Sequence, residues 1–573
     1  MGMKQAGQRF EGFDYDVIVV GSGAGGGMAA YELTRRGIRV LLLEAGRHYD
    51  PVTETPMFQT AAEAPLRGVS TPDKQFGFYD ATVDGGWQVP GEPYTTADGS
   101  EFLWWRARML GGRTNHWGRY VLRFSPHDFQ AYSRDGHGAD WPLVYEDLAQ
   151  WYDKAETLIG VCGDNPGLDD IPDSAPGVLH PPPQGRVYER LVQAACKKLG
   201  IPVAYMRRAV MTRPMQDPED PRQPCYWATP CGRGCSIGAA FQTPTSVLPM
   251  AERTGRLHTV TQCLVTRVHV DSQGRVEALS YVNRQTGVIG RLQAKVIVLS
   301  ASACETARIL LNSRTEALPR GVANASGQVG RNLMDSTGAN ITANVPGLYG
   351  RPRYNEDGHT GNHLFVPWWG HQAQVRGELN FARGYHFEIS GGFAPPGISL
   401  GAYARGHGEA LKRSVQHRYG AYLRLALRGE MLPNAESYMD LDPHAKDQWG
   451  NPVPRFHWRW SEQELNQVAH GLRTAHQIFA LLGGEVLEPQ RTPEEAILKG
   501  GQIIHEVGTA RMGTDPRYSV TDADGRCWDH PGLYVMDGAV FASNPHKNCT
   551  LTIMTLALRN ASRLADSLKR RQV

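Results

Sequence analysis

The chain has 573 residues, of which 41% are hydrophobic and 21% charged, a composition typical of a globular protein rather than a disordered one. Sixty basic and 58 acidic residues leave a net charge of +2, which gives no reason to expect nucleic acid or an anionic membrane as a partner. The chain is longer than one hydrophobic core usually supports, so at least two domains are expected.

No stretch has the apolar length of a signal peptide or a membrane span. We therefore expect a soluble, cytoplasmic protein, with export to the periplasm beside a signal-bearing partner subunit as the alternative. The nine cysteines are an odd number, which fits a reducing compartment better than a disulfide framework.

The predicted elements change in kind along the chain. Residues 15–45 indicate a strand, a glycine turn, a helix and a second strand. Residues 50–100 and 163–184 are predicted as loops because proline and other turn formers are frequent there. Helices are predicted at 143–160 and 186–199, alternating strands at 258–300, a buried strand leading into a helix at 296–313, an antiparallel sheet within 340–440, and a strand and an amphipathic helix within 532–568. Because strand–helix units occur at the start, middle and end, one domain is expected to be built from separated segments.

Gly21, Gly23 and Gly26 form the pattern Gly-x-Gly-x-x-Gly between the first strand and the first helix. There, the first glycine permits a tight turn, the second lets backbone approach a pyrophosphate, and the third lets helix and strand pack closely. Glu44 ends the second strand, where an acid binds the ribose hydroxyls and disfavours NADP. The element predicts a dinucleotide but leaves NAD and FAD open, and a plain glycine-rich turn is the alternative.

Three more stretches extend this pattern over the chain: RMLGGRTNHWGR at 108–119, VIVLSASACETARILLNS at 296–313, and the run from HEVGTARMG through the C-terminal helix, at 505–560. Together with the fingerprint they resemble the glucose–methanol–choline (GMC) family of FAD-dependent oxidoreductases, with Ser302 where a glycine is common. Bacterial sugar and glycoside dehydrogenases and pyranose oxidases are the most similar members.

The resemblance implies an α/β fold with an added antiparallel sheet. A discontinuous Rossmann-type FAD-binding domain would cover 10–130, 220–335 and 500–570, interwoven with a substrate-binding domain at 131–219 and 336–499. It also implies flavin contacts from Gly111, Gly112, Asn115, His116, Trp117, Val265 and Asp537. An ordinary acid at a strand end is the alternative for Asp537.

An alcohol gives up a hydride readily only while its hydroxyl proton is being removed, and histidine is suited to be that base. A second polar group should hold the same hydroxyl. By resemblance these groups are His505 as general base and Asn548 as orienting partner, with hydride transfer to flavin N5. His546 is a competing candidate, and a histidine satisfied within the core is the alternative for His505.

His116 is followed by Trp117, which matches the position where pyranose oxidases bond a histidine to the flavin 8-methyl carbon. A covalent FAD is therefore a hypothesis, and a histidine that only packs against the flavin is the alternative.

Cys225, Cys231 and Cys235 fall within eleven residues, and three thiolates in one loop suit a metal or iron–sulfur site. Some bacterial sugar dehydrogenases of the family carry a three-iron cluster on similar spacing. A fuller set would have a cysteine near Ala228, so three ligands remain, enough for a [3Fe–4S] cluster. Such a cluster would favour a dehydrogenase with a quinone or cytochrome acceptor over an oxidase using O2. The alternative is cysteines that are structural only.

The sequence thus predicts oxidation of an alcohol, with a secondary hydroxyl of a sugar or glycoside, converted to a keto-sugar as in glycoside 3-oxidation, as the leading substrate. Aromatic residues within 363–369 would suit a pyranose ring but could equally be core. The alternatives are a sterol, aryl or alkyl alcohol, an FAD-containing lyase, or a flavin-binding electron-transfer subunit. A small accessory subunit is a further partner that the resemblance suggests.

Overall fold

The computed structural model describes residues 9–55, 84–217, 220–226, 231, 234–352, 362–392, 406–488 and 491–572. Much of the predicted loop at 50–100, and Ala228 in the cysteine segment, lie outside the described residues. The described residues contain two principal sheets, each built from segments far apart in the chain.

The first sheet has five parallel strands and lies in the centre of the larger hydrophobic core. Its two N-terminal strands are the runs VIVV and VLLL, buried at every position, as expected of strands covered on both faces. In spatial order the strands are Leu533–Val535, Ile297–Leu299, Val17–Val20, Val40–Leu43 and Leu257–Val260. Strands from the start, middle and end therefore meet in one sheet, which confirms the predicted fold class.

The second sheet has six antiparallel strands. One face of the sheet packs on an apolar core beneath the long helix Glu462–Leu481, and Tyr385, Phe387 and Ile389 point into this core. The two residues between them, His386 and Glu388, lie on the opposite face. In spatial order the strands are Glu485–Val486, Thr337–Asn344, Tyr422–Gly429, Tyr385–Gly391, Leu364–Val366 and Ala204–Tyr205.

Smaller sheets and the helices complete the fold. The longer described helices are Ala24–Arg35, Tyr145–Ile159, Val187–Lys198, Ala303–Asn312, Gly408–Arg418, Glu462–Leu481 and Thr550–Lys569. The smaller sheets contain Cys263–Val270 with Val276–Asn283 and Ile289–Gln293, Tyr438–Lys446 with Pro452–His457 and Thr95–Thr96, Gly85–Gly86 with Arg106–Ala107, and Arg9–Phe10 with Phe13–Asp14.

The helix Tyr145–Ile159 packs against the C-terminal helix. Its buried side chains Leu148 and Tyr152 belong to the larger core, which surrounds the parallel sheet and also takes in residues of the range 336–499, so the domain division stays a prediction. The Tyr152 hydroxyl lies 2.7 Å from Thr552 Oγ1 on the C-terminal helix. The apolar stripe of this helix is thus covered by the C-terminal helix, which sequence order did not indicate.

None of the described helices combines the length and the hydropathy needed to cross a bilayer.

Candidate active site

Of the three fingerprint glycines in the turn of the parallel sheet, only one has open space beside its backbone. Gly21 has φ +97°, and a Cβ there would lie 2.4 Å from Ser300 O. A Cβ at Gly26 would lie 1.8 Å from Gly21 O, whereas one at Gly23 would meet nothing within 4 Å. Gly21 and Gly26 therefore serve packing, while Gly23 caps the helix Ala24–Arg35 beside open space.

Glu44 closes the same turn from the neighbouring strand. Its carboxylate accepts hydrogen bonds from the Ser22 amide at 3.1 Å and the Gly46 amide at 2.7 Å. Ser22 Oγ also donates to this carboxylate and accepts from the Gly111 amide at 2.8 Å. The predicted ribose-binding acid and the second glycine-rich segment are thereby fixed to the turn.

The segment 108–119 forms a short 3₁₀ helix, Gly112–Asn115, entered through Gly111 at φ +86°. The Asn115 side chain donates to Leu110 O at 2.9 Å and stabilises this bend rather than facing open space. His116 is buried, and its Nε2 lies 2.9 Å from the indole Nε1 of Trp105.

The third segment brings Ser302 and Asp537 together. Ser302 has φ +86°, a left-handed conformation that explains why glycine suits this position. Its amide donates to Asp537 Oδ2 at 3.1 Å, and Thr306 Oγ1 donates to the same oxygen at 2.6 Å. Burial raises the pKa of Asp537 to about 6.

A single cavity enclosing about 1640 Å³, partly open to solvent, joins these segments. Three of the predicted dinucleotide, flavin and catalytic residues do not line this cavity: Gly26, Gly111 and Asn115. The others in the dinucleotide, flavin and catalytic sets line it: Gly21, Gly23, Glu44, Gly112, His116, Trp117, Val265, His505, Asp537 and Asn548. One continuous space thus runs from the glycine turn to the predicted catalytic pair.

His505 is held at the far end of this cavity by two residues that precede the strand Thr337–Asn344. Ser336 Oγ lies 2.8 Å from His505 Nδ1, and the Asp335 carboxylate accepts from the amides of Ile503 and His505. The intervening Ile504 has φ +67°, which is a true outlier for a β-branched residue. The backbone is therefore clamped on both sides of a strained residue, and strain of this kind is typical of functional sites.

Burial controls the charge at this end of the cavity. It lowers the pKa of His505 to about 3, so the imidazole is neutral at neutral pH. It raises the pKa of Asp335 to about 7, with the nearby Glu506 acting in the same direction. A neutral imidazole can accept a proton.

Asn548 and its competitor His546 face different surroundings. Asn548 lines the cavity, and its Nδ2 donates to Glu388 Oε1 at 3.4 Å. His546 is absent from the cavity lining, and its Nε2 lies 3.2 Å from Asp170 Oδ1. Lys547 Nζ binds the same oxygen at 2.7 Å. The structure therefore brings Asn548, and not His546, to the cavity beside His505.

The polar face of the six-stranded sheet approaches His505 and Asn548 and was missed by the sequence analysis. His386, Glu388 and Arg428 lie on this face, with His386 paired to Arg428 across two strands. Glu388 Oε2 is 3.5 Å from Arg428 Nη2, and its Oε1 is 3.8 Å from His386 Nε2. The signal was the alternation YHFEIS at 385–390, which marks one polar face but does not reveal what that face meets.

The three clustered cysteines lie apart from the cavity lining. Cys231 and Cys235 are buried in a small apolar cluster with Val210, Ala239 and Ala240, and Cys225 packs against it. Over the ranges that the structure describes, no group of three or more His, Cys, Asp or Glu side chains is placed to hold a metal ion. Cys231 Sγ accepts a hydrogen bond from Arg208 Nη2 at 3.6 Å, and Cys235 Sγ accepts one from the Ala240 amide at 3.5 Å. The predicted iron–sulfur ligand set is therefore not supported among the described residues.

These features can be compared with known proteins. Two family models described as GMC oxidoreductase match residues 15–337 and 433–557. The chain is 28% identical to the 2-methyl-1,2-propanediol dehydrogenase of Mycolicibacterium austroafricanum, over 95% of this chain and 94% of that protein. It is also 28% identical to the fructose dehydrogenase large subunit of Gluconobacter japonicus, over 97% and 98% respectively. In fold it resembles the pyridoxine 4-oxidase from Mesorbium loti, with a TM-score of 0.62 and 18% identity over 96% of this chain and 99% of that one.

Proposed function

The chain belongs to the GMC oxidoreductase family and is an oxidoreductase acting on alcohol groups; on that premise we propose that it oxidises a secondary hydroxyl of a sugar or glycoside to a keto-sugar. GMC oxidoreductases bind FAD. The observation that carries the proposal is the single cavity that joins the glycine turn to His505 and Asn548.

The residues of the cavity fit FAD. Gly23 leaves open space beside a helix N-terminus, which suits a pyrophosphate. Glu44, Val265, His116 and Trp117 line the same cavity, where Glu44 would bind the ribose hydroxyls and the other three would flank the flavin portion. When bound, FAD supplies the acceptor for the hydride that leaves the alcohol carbon.

His505 performs the proton chemistry in this proposal. With its Nδ1 bonded to Ser336, the imidazole offers Nε2 to the substrate hydroxyl and takes its proton there. Asn548 holds the same hydroxyl through its side-chain amide. Such a base typically contributes about 10²- to 10⁴-fold in rate.

A sugar is favoured over an apolar alcohol by the polar surroundings of the pair. Asn548 lines the cavity with an Oδ1 that has no partner among the described residues and would be costly to bury against a sterol, and behind it His386, Glu388 and Arg428 form a charged and polar sheet face outside the cavity lining. The similarity to a fructose dehydrogenase subunit supports this choice. A small non-sugar diol is the second candidate, because the similarity to the propanediol dehydrogenase is equally high.

The test is anaerobic addition of sugars, glycosides and small diols to the purified protein, read by the flavin absorbance band. We expect bleaching with a sugar and not with a sterol, and about a hundredfold slower bleaching in His505→Ala. His269→Ala, on the hairpin outside the cavity, is the matched control and should bleach normally. If no alcohol bleaches the flavin band, the proposal of an alcohol oxidase or dehydrogenase is refuted, and the FAD-containing lyase remains as the alternative.

The remaining predictions use the same sample. Reoxidation by O2, a quinone or a cytochrome assigns the acceptor, and co-purification shows whether an accessory subunit binds. Flavin that stays with acid-precipitated protein would support a covalent bond to His116, and released flavin would contradict it. Iron determination tests the cluster, for which the packing of the cysteines gives no support.

A further inference from the structure

Glu388 is a buried carboxylate of the six-stranded sheet that reaches across to the predicted catalytic pair. Its Oε1 accepts from Asn548 Nδ2 at 3.4 Å. Arg428, on the adjacent strand, approaches its other oxygen at 3.5 Å, and His386, two residues earlier on its own strand, lies 3.8 Å from the first oxygen. The Glu388 side chain is 11% exposed, so these contacts are largely shielded from water.

We propose that Glu388 is a positioning residue for the active pair: it orients the Asn548 amide and places a negative charge beside His505. The inference rests on the proposed function, in which His505 accepts the substrate proton. A base–partner pair oriented by a third group is a general arrangement in enzymes.

The orienting role follows from the amide's hydrogen bonds. Asn548 is buried, and its Oδ1 has no hydrogen-bond partner in the described structure. With one N–H of Nδ2 directed to Glu388, the amide plane is fixed, and Oδ1 and the second N–H remain for the substrate. An unmade hydrogen bond at a buried polar atom is costly, so the site is built for a ligand with hydroxyl groups.

The charge role follows from what surrounds His505. Arg428, His386 and Arg113 each make protonation of His505 less favourable, as burial does, whereas Glu388 makes it more favourable. When His505 takes the substrate proton, Glu388 is the counter-charge that stabilises the imidazolium.

Glu388 is suited to carry that charge. Burial by itself would raise its pKa, but Arg428, then His386 and His505, hold the pKa at about 2, so the carboxylate is ionised. Tyr120 faces it as well, and burial together with this charge raises the pKa of Tyr120, which keeps the phenol neutral. The neighbours of Glu388 therefore keep its carboxylate ionised before substrate binds.

The test compares Glu388→Gln and Glu388→Ala with wild type as FAD-loaded enzymes. Gln keeps an acceptor for Asn548 and removes the charge, whereas Ala removes both. We expect Glu388→Gln to lower kcat about ten- to hundredfold, with KM changed less, and to shift the acid limb of kcat/KM to lower pH by about one unit or more. Glu388→Ala should be slower still.

One further measurement and one control variant separate a positioning role of Glu388 from a structural one. Titration of labelled histidine by NMR in the FAD-loaded protein should show a lower pKa for His505 in Glu388→Gln, independently of turnover. Asp440→Asn removes a carboxylate from the Arg455 ion pair on the hairpin outside the site and should leave rate and pH profile unchanged.

The outcomes are distinct. A Glu388→Gln enzyme that loses only thermal stability, with wild-type rate and pH profile, would overturn the inference. So would a lowered rate without any change in the pH limb or in the His505 titration. If wild type oxidises no alcohol while the titration still responds to Glu388, the proposed function fails and the charge coupling stands.

Discussion

The two ends of the cavity are built in different ways. At the glycine turn the working surface is backbone: Gly23 is open because Gly21 and Gly26 allow strand and helix to approach within contact distance. At the His505 end the surface includes the side chains of His505 and Asn548, which Ser336 and Glu388 contact from parts of the chain far away in sequence. A backbone surface tolerates few substitutions, whereas a side-chain surface can change its substrate without changing the fold.

The sharpest test of this contrast is Gly26→Ala. The added Cβ would lie 1.8 Å from Gly21 O, a backbone atom that cannot move aside. We expect more than about 3 kcal/mol of destabilisation, seen as little folded protein on expression and as a lowered denaturant midpoint.

Gly23→Ala is the matched control for that change. A Cβ at this position meets no atom within 4 Å, so the protein should fold with at most about 1 kcal/mol lost. The new methyl would occupy space assigned to the pyrophosphate, so FAD bound per chain should fall sharply. A stable Gly23→Ala protein with full FAD content would refute the assignment of that space.

At the other end, His386→Phe should alter substrate affinity without damaging the fold. The ring is fully buried, and neither nitrogen has a hydrogen-bond partner in the described structure. Replacement by a ring of similar shape should keep the free energy of unfolding within about 1 kcal/mol, while KM for a sugar rises up to about tenfold because Glu388, and with it Asn548, is held less firmly.

His470→Phe serves as its control, on the helix Glu462–Leu481 that packs against the opposite face of the sheet. His470 Nδ1 lies 2.7 Å from the Tyr385 hydroxyl, so this change removes an internal hydrogen bond. Stability should fall and KM should not change. The same KM in wild type and His386→Phe would contradict the view that this face supports the substrate site through Glu388 and Asn548.

A smaller effect than that of the substitutions is expected in the pH dependence of kcat/KM. Because the pKa of His505 is lowered by burial to about 3, the base is protonated only at acid pH. The acid limb should therefore lie below pH 6.5, with kcat/KM flat from pH 6.5 down to about 5. A limb centred at pH 6.5 or above would contradict this, and Asp335→Asn would show whether the carboxyl with a pKa of about 7 causes it.

Ser302→Gly is expected to give the smallest change, and it is stabilising. Ser302 adopts φ +86° and ψ 158°, a region that only glycine occupies without strain. Relief of that strain should raise the free energy of unfolding by about 1 kcal/mol, measured by denaturant titration. No gain, with FAD content unchanged, would show that the serine makes compensating contacts.

The sequence predicted the parts that depend on local pattern. The glycine turn follows from spacing, and the helix predicted at 143–160 is observed at Tyr145–Ile159. Glu388 could not be assigned a role, because its contact with Asn548 spans 160 residues and depends on how the two sheets meet. Ser336 was missed for the same reason, since nothing in its neighbourhood marks it as a partner of His505.

The strain at Ile504 also bears on which steps of the proposed catalytic cycle would be slow. A strained residue whose two neighbours are both held by Asp335 costs about 1–3 kcal/mol, and the two hydrogen bonds restrict the loop around it. In the proposed mechanism, the imidazole would then already be oriented between turnovers. Substrate encounter would then require no rearrangement of this loop, and the slow events of the cycle would lie elsewhere, in the passage of electrons to the acceptor or in product departure.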